Sequence, residues 1–289
     1  MIKTPWLSVA LLILLTAIAP TLWGTTYIIT TELLPADRPF IAAFFRIFPA
    51  GVILLLISRH LPKRQEWLRI IILAILNFAI FHVLLFIAAY RLPGGLAAVV
   101  GAIQPLMMMF LIWFVDNRKP AHLALTASII GVFGMAALLL SPSSTWNFIG
   151  ILAASTGAVL MTCGIFLASR WRTDIPLLAF TGWQLFIAGI LLAPFAWFLD
   201  PHLSELTTKN LLGYGYLSLF GTTLAYVLWF NGIAKLSPVA ISSLGLLSPI
   251  SAVIIGWLVL GQSITGIALV GLIAVLGSVL TVQWALVPK

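Results

Sequence analysis

Long apolar runs broken by short polar connections recur ten times along the chain, at about 6–33, 39–58, 68–90, 93–115, 121–141, 147–169, 176–198, 211–233, 237–259 and 264–287. Each approaches or exceeds the ~20 residues that a helix rising ~1.5 Å per residue needs to cross a bilayer. Lipid offers backbone N–H and C=O groups no partner, so runs of this kind predict transmembrane helices rather than strands or loops. The connections are too short for a soluble domain and make helices adjacent in sequence neighbours in space. The first run, which follows a lone Lys3, begins like a secretory signal. It continues past Pro20 to Leu34 and precedes nine others, so it is expected to stay attached as the first span.

Two of the runs share one design. PGGLAAVVGAIQPLMMMFLIWFV (93–115) and SPVAISSLGLLSPISAVIIGWLV (237–259) carry no charge, and each has a proline just past its centre. At a shift of 144, Leu92 falls on Leu236, Gly101 on Gly245 and Pro105 on Pro249. In the second and seventh spans a shift of 138 lays Ala50-Gly51 on Ala188-Gly189 and Arg46 on Gln184. Gly134 and Gly277 match at 143 in the fifth and tenth. The pattern predicts two five-helix units, residues 1–142 and 143–289. Five is odd, so the units enter the membrane from opposite faces. The expected fold is therefore an all-α membrane protein of ten transmembrane helices in two inverted repeats. Paired interruptions at corresponding places in two halves point to a transporter's solute site, with Pro20, Pro105 and Pro249 as candidate hinges. The arrangement requires residues 116–119 and 172–174 to lie on one side of the bilayer.

Composition agrees with that class: 62% of the 289 residues are hydrophobic and 8% charged, against about a quarter charged in soluble domains. Mean hydropathy is +1.17. The net charge of +8 is a matter of placement rather than of a nucleic-acid partner. With a cytoplasmic N-terminus, eleven of the 15 Lys and Arg residues lie on that side, among them Arg59, Lys63, Arg118, Arg170 and Lys235. Arg38, Arg91 and Lys209 lie on the other and Arg46 within a span. This positive-inside bias sets both termini in the cytoplasm, with anionic lipid headgroups as the counter-charge. The single cysteine, Cys163, excludes an internal disulfide.

In their order, these features resemble the drug/metabolite transporter superfamily, in particular its EamA-type exporters. The Trp-Gly of Leu22-Trp23-Gly24-Thr25-Thr26-Tyr27 is similar to the family's first span, and Arg46 in AAFFRIFPAG to its second. Leu92-Pro93-Gly94-Gly95-Leu96-Ala97-Ala98 and Leu236-Ser237-Pro238-Val239-Ala240 resemble its turns into the fourth and ninth. Where the family carries Gly-Glu after those spans, this chain has Asp116-Asn117-Arg118 and Gly261-Gln262, so ion coupling by such glutamates does not carry over. The resemblance implies export of amino acids, aromatic ones included, and related metabolites from the cytoplasm. In style it is nearest the YddG-type aromatic amino-acid exporters. A bacterial inner membrane, no cofactor and no metal, and a functional monomer are the accompanying expectations.

Polar groups at membrane depth are costly, and each is a candidate site residue. Arg46 lies ~10 Å inside its helix end, where it either snorkels, pairs with Glu32 or meets a solute carboxylate. His82 is a structural histidine or a cavity group, and is the best candidate for proton coupling. Asn77, Gln104 and Ser248 lie near mid-depth, the last two just before the matched prolines. Trp23 with Tyr27, Phe78 and Phe81 with His82, and Tyr226 with Trp229 and Phe230 share helical faces by their i, i+3 and i+4 spacing. Of these, Trp23, Tyr27, Phe78, Phe81 and Trp229 are candidates for the wall of an apolar cavity, and core packing is the alternative. The glycines Gly131, Gly134, Gly271 and Gly277 predict close contact between the fifth and tenth spans, away from the pathway. Four readings compete with amino-acid export: a multidrug cation exporter, a phosphate or nucleotide-sugar carrier (for which Arg46 is a single deep cation where several are wanted), a non-transporting membrane subunit and an intramembrane enzyme. The first lacks a mid-depth carboxylate, and the last lacks a buried catalytic constellation.

Overall fold

The computed structural model describes residues 6–92, 100–139, 147–171, 173–200, 206–260 and 266–286. Among the described residues every regular element is helical. Eight helical stretches are long and apolar enough to cross a membrane, and Gln104–Asp116 and His122–Leu138 are shorter apolar helices. The protein is a multi-pass membrane protein. The Pro93–Ala98 turn, Gly261-Gln262 and the boundary between 142 and 143 lie outside the described residues.

The first run forms α1 (Trp6–Gly24) and α2 (Thr26–Leu33), parted at Thr25. Thr25 keeps helical dihedrals but tightens the turn: its N–H and its hydroxyl both donate to the Leu22 carbonyl three residues back. Pro20 lies inside α1, ahead of this break. Helix α3 (Pro39–Ser58) opens on a proline, whose missing N–H costs nothing in a first turn. The third run is not one regular helix: α4 (Trp67–Ala74) and α5 (Phe81–Arg91) flank a π-helical turn, Ile75–Ile80. The eighth repeats this, with α10 (Thr208–Ser218) and α11 (Ala225–Lys235) around a π-helical turn at Leu219–Leu224. The two widened turns stand 144 residues apart. In the second, the hydroxyls of Thr222 and Thr223 reach the carbonyls five residues back, Leu217 and Ser218, at 2.8 and 2.9 Å.

Each of the matched prolines follows an interruption of its helix, in line with the paired interruptions expected from the sequence. At Ala102–Ile103 and at Gly245–Leu246 the helix tightens: Ile103 and Gly245 keep helical dihedrals, while the N–H groups of Ile103, Leu246 and Ser248 reach carbonyls three residues back. The chain then continues as α6 (Gln104–Asp116) and as α13 (Leu247–Leu260), the latter following α12 (Pro238–Leu244). Pro105 and Pro249 therefore sit in first turns, where a proline leaves no carbonyl stranded. The tightened turn that precedes each one is the irregular backbone.

The remaining helices are α7 (His122–Leu139), α8 (Phe148–Arg170), α9 (Leu177–Phe198) and α14 (Ile267–Leu286). Helices α3 and α9 pack reciprocally. A Cβ on Gly51 would lie 2.5 Å from the Phe186 nitrogen, and one on Gly189 would lie 2.6 Å from the Phe48 ring. Phe48 and Phe186 stack at 5.5 Å. Each glycine thus receives the phenylalanine three residues before the other. Helices α7 and α14 meet where Gly134 and Gly271 face each other's carbonyls. Ser278 bonds the Ala127 carbonyl at 2.7 Å across the same seam. Gly277 faces open space, so Gly271 rather than Gly277 carries this contact.

Side-chain ties define the two ends of the bundle. At one, Asp116 forms an ion pair with Arg170, and the Thr173 hydroxyl donates to Glu66 at 2.8 Å. Partial burial raises the Glu66 carboxyl, but the Lys63 N–H and the Thr173 hydroxyl outweigh it and hold the group below the usual carboxylate range. The described residues of 116–119 and 172–174 therefore share one end. At the other, Asn210 donates to the Leu33 carbonyl and Tyr90 to the Pro35 carbonyl. There Asp200 accepts the Ile41 N–H at 2.7 Å, capping α3. Burial raises the Asp200 carboxyl above its ordinary range, against the pull of the α3 N–H groups.

Candidate functional site

Among the first span, α3, α5, α8 and α11 lies a cavity of about 150 Å³, the size of an engineered apolar void that holds one benzene ring. Trp23, Thr26 and Tyr27 reach it from the broken first span, and Arg46 from α3. Phe81 and Leu85 enter from α5, Tyr226 and Trp229 from α11. Gln104 and, beside the α12–α13 break, Ser242, Ser248 and Pro249 complete the polar wall. The small residues Ala153, Ala154, Gly157 and Ala158 of α8 leave the space open.

Arg46 is the cavity's charge. It is 1% exposed, and no carboxylate pairs with it among the described residues. Nε donates to the Thr222 hydroxyl at 3.3 Å, Nη1 to the Thr26 hydroxyl at 3.2 Å and Nη2 to the Gly221 carbonyl at 3.3 Å. The proposed pairing with Glu32 is not seen; neutral groups of the first and eighth spans hold the guanidinium instead. A guanidinium has five N–H donors, so with these three bonds one on Nη1 and one on Nη2 remain. The Gly221 carbonyl, inside the π-helical turn, also accepts the Trp23 indole N–H at 3.0 Å. Trp23 in turn packs on Tyr226 and Trp229, with ring centroids 5.0 and 4.9 Å away.

His82 is fully buried and stands behind this wall rather than in it. Nδ1 lies 3.0 Å from the Phe78 carbonyl and Nε2 3.3 Å from the Tyr226 hydroxyl. A carbonyl only accepts, so Nδ1 carries the proton and Nε2 accepts from Tyr226. Both nitrogens are satisfied in the neutral ring. Phe78 is likewise core, and so is Asn77, whose side chain abuts Gly164 of α8 and finds no hydrogen-bond partner among the described residues. Of the sequence candidates, then, Trp23, Tyr27, Arg46, Phe81, Gln104, Trp229, Ser248 and Pro249 come together. Asn77, Phe78, His82, Pro20 and Pro105 do not touch the space.

Sequence reasoning passed over Thr26 and Ser242 as wall groups, the Gly221 carbonyl as the acceptor that holds Arg46 and Trp23, and Tyr226 as the cavity's link to His82. For Tyr226 a signal existed: it stands 144 residues after His82, the shift of the internal repeat. A carbonyl exposed by a π-helical turn leaves no such trace in the side-chain pattern.

An aromatic cluster separates the cavity from a wider vestibule of about 750 Å³. Phe78 packs edge-on to Tyr226 at 4.7 Å and against Phe230 at 6.0 Å. Phe180 meets Phe230 at 5.6 Å. Tyr226 faces the cavity; Phe180 and Phe230 face the vestibule. The vestibule opens at the end carrying the Asp116–Arg170 pair and also presents Arg118 and Lys235.

Comparison with known proteins agrees with this geometry. A model of the EamA-like transporter family matches residues 9–140 and again residues 148–284. Protein PecM of Dickeya dadantii (strain 3937) is 39% identical over 267 residues, covering 92% of this chain and 90% of that protein. The uncharacterized inner membrane transporter YedA of Escherichia coli (strain K12) is 26% identical over 271 residues, 87% of either protein. A protein of solved crystal structure, 17% identical, superposes with a TM-score of 0.79 over 95% of this chain and 98% of its own, and so shares the fold.

Proposed function

Because the chain belongs to the EamA-like transporter family, we propose that it is a bacterial inner-membrane exporter, and not an enzyme. Its solutes are small molecules joining an aromatic or apolar body to a carboxylate, aromatic amino acids and related metabolites among them. The observation that carries this reading is Arg46: a buried guanidinium with two unused donors, facing a ring-sized space walled by Trp23, Tyr27, Tyr226 and Trp229. Apolar walls with a few convergent polar groups are what small-molecule sites require. A lipophilic cation would need a carboxylate where this cavity has a cation, which counts against the multidrug reading.

Transport proceeds by alternating access between two inverted five-helix halves, 1–142 and 143–289. The twofold family match, the π-helical turns 144 residues apart and the reciprocal Gly51–Phe186 and Gly189–Phe48 contacts support that division. The vestibule faces the cytoplasm, since its end of the bundle holds most of the cations outside the spans, and both termini lie on that side. The Phe78–Phe180–Tyr226–Phe230 cluster is the inner barrier of this state. Protons are not required by the His82 geometry, and a single copy suffices because the cavity is complete within one chain.

Counterflow of radiolabelled phenylalanine and tryptophan into proteoliposomes holding only this protein tests the reading. Saturable exchange that Arg46→Gln abolishes is expected. Exchange of lipophilic cations alone would overturn it, and a requirement for a second protein would favour the subunit alternative.

A further inference from the structure

Resting on the carrier reading above, we infer that the cavity sorts its solutes by net charge, taking aromatic monocarboxylate anions in preference to zwitterionic amino acids. Among the described residues Arg46 is the only charged side chain on the wall: no described Asp, Glu or Lys lines it. A carboxylate seated on the two remaining N–H groups of Arg46 neutralises a cation that no carboxylate pairs among the described residues. The ammonium of an α-amino acid, held one carbon away from that carboxylate, would be brought close to the same guanidinium. It would find only neutral acceptors, the Gln104 amide and the Ser248 hydroxyl among them. The aromatic faces offer little relief, because Trp23 is already packed against Tyr226 and Trp229. In a site with little water, like-charge proximity without a counter-ion is strongly unfavourable.

The vestibule carries the same sign. Among the described residues Arg118, Arg170 and Lys235 line it against Asp116, and a concave surface with an excess of one sign raises the local concentration of its counter-ions. An anion therefore meets positive potential first at the mouth and again at Arg46. The energetics follow. One negative charge leaving a cell that is negative inside moves down the potential, worth about 50-fold in distribution ratio per 100 mV. Export of such an anion needs no proton, in keeping with a His82 whose two nitrogens are both satisfied in the neutral ring.

Three probes with one aromatic body test this: phenylpyruvate (anion), phenylalanine (zwitterion) and phenethylamine (cation), each in counterflow with the full chain in proteoliposomes at pH 7. Phenylpyruvate is expected to exchange about tenfold or more faster than phenylalanine at equal low concentration, with phenethylamine not exchanged. An inside-negative potassium diffusion potential should accelerate net efflux of phenylpyruvate. Gln104→Glu, which sets a carboxylate of nearly the same shape on the wall, should shift the preference toward phenylalanine. Phenylalanine flux equal to or above that of phenylpyruvate in the wild type overturns the charge selection and leaves the carrier reading standing. So does phenylpyruvate efflux that ignores the potential. If none of the three exchanges, the carrier reading itself falls and the selectivity with it.

Discussion

Replacing Arg46 with methionine separates what the residue does for the fold from what it does for the solute. The guanidinium is 1% exposed and held by three hydrogen bonds to neutral groups. Burying an ion without a counter-charge costs several kcal/mol. Three bonds from a charged donor return roughly 1.5–3 kcal/mol each. The two nearly cancel, and methionine strands little: the Thr222 hydroxyl still donates to the Leu217 carbonyl, and Gly221 still receives the Trp23 indole. The thermal midpoint of Arg46→Met in detergent is therefore expected within a few degrees of the wild type, or above it. The solute loses more. A carboxylate ~4 Å from a guanidinium gains about 4 kcal/mol at an effective dielectric near 20. After desolvation, about 2–4 kcal/mol of net loss corresponds to roughly 30–1,000-fold weaker apparent affinity. Counterflow against solute concentration reads the affinity and a melting curve reads the fold. A variant that is clearly destabilised but exchanges carboxylates with unchanged affinity would refute the reasoning. Arg46 would then be a structural cation.

Other outcomes follow from single contacts. Gly51→Ala places a Cβ against the Phe186 backbone and is expected to cost about 1–3 kcal/mol in a thermal melt, whereas Gly277→Ala, facing open space, should be neutral. Tyr226→Phe removes the donor to His82 Nε2. It should destabilise by about 1–3 kcal/mol, and His82→Leu made on top of it should recover part of that loss, since no buried acceptor is then left unpaired. The Glu66 carboxyl is held below its ordinary range by its two donors. A depressed carboxylate contributes stability above its unfolded pKa, and that contribution is lost as pH falls through the lower folded value. Melting curves taken downward from pH 5 should thus fall less steeply in Glu66→Gln than in the wild type. Phe230→Ala should open a route between cavity and vestibule, at about 3–5 kcal/mol of stability, and read out as solute leak from preloaded vesicles.

Helix formation and span limits were legible in the chain because lipid leaves the backbone one solution and apolar length marks where it applies. The run read as 39–58 coincides with α3, and that read as 176–198 with α9 to within a residue. The matched Gly51 and Gly189 were legible in the same way, since glycines mark places where backbones approach, whereas the matched Gly277 faces open space. Arg46, Trp23 and Gln104 announced themselves by cost: a charge, an indole or an amide at membrane depth must face protein or water. Tertiary structure alone decided what each one faces. Glu32 was a plausible partner for Arg46 by distance along the chain, yet the partners come from the first span and from a π-helical turn nearly two hundred residues from Trp23. His82 and Asn77 looked like cavity groups by depth, and packing set them behind the wall. Hydrophobic pattern specifies how deep a residue lies and which face of its helix it occupies. The direction that face takes depends on rotations among helices, and those are settled by interlocking side chains whose partners are distant in sequence.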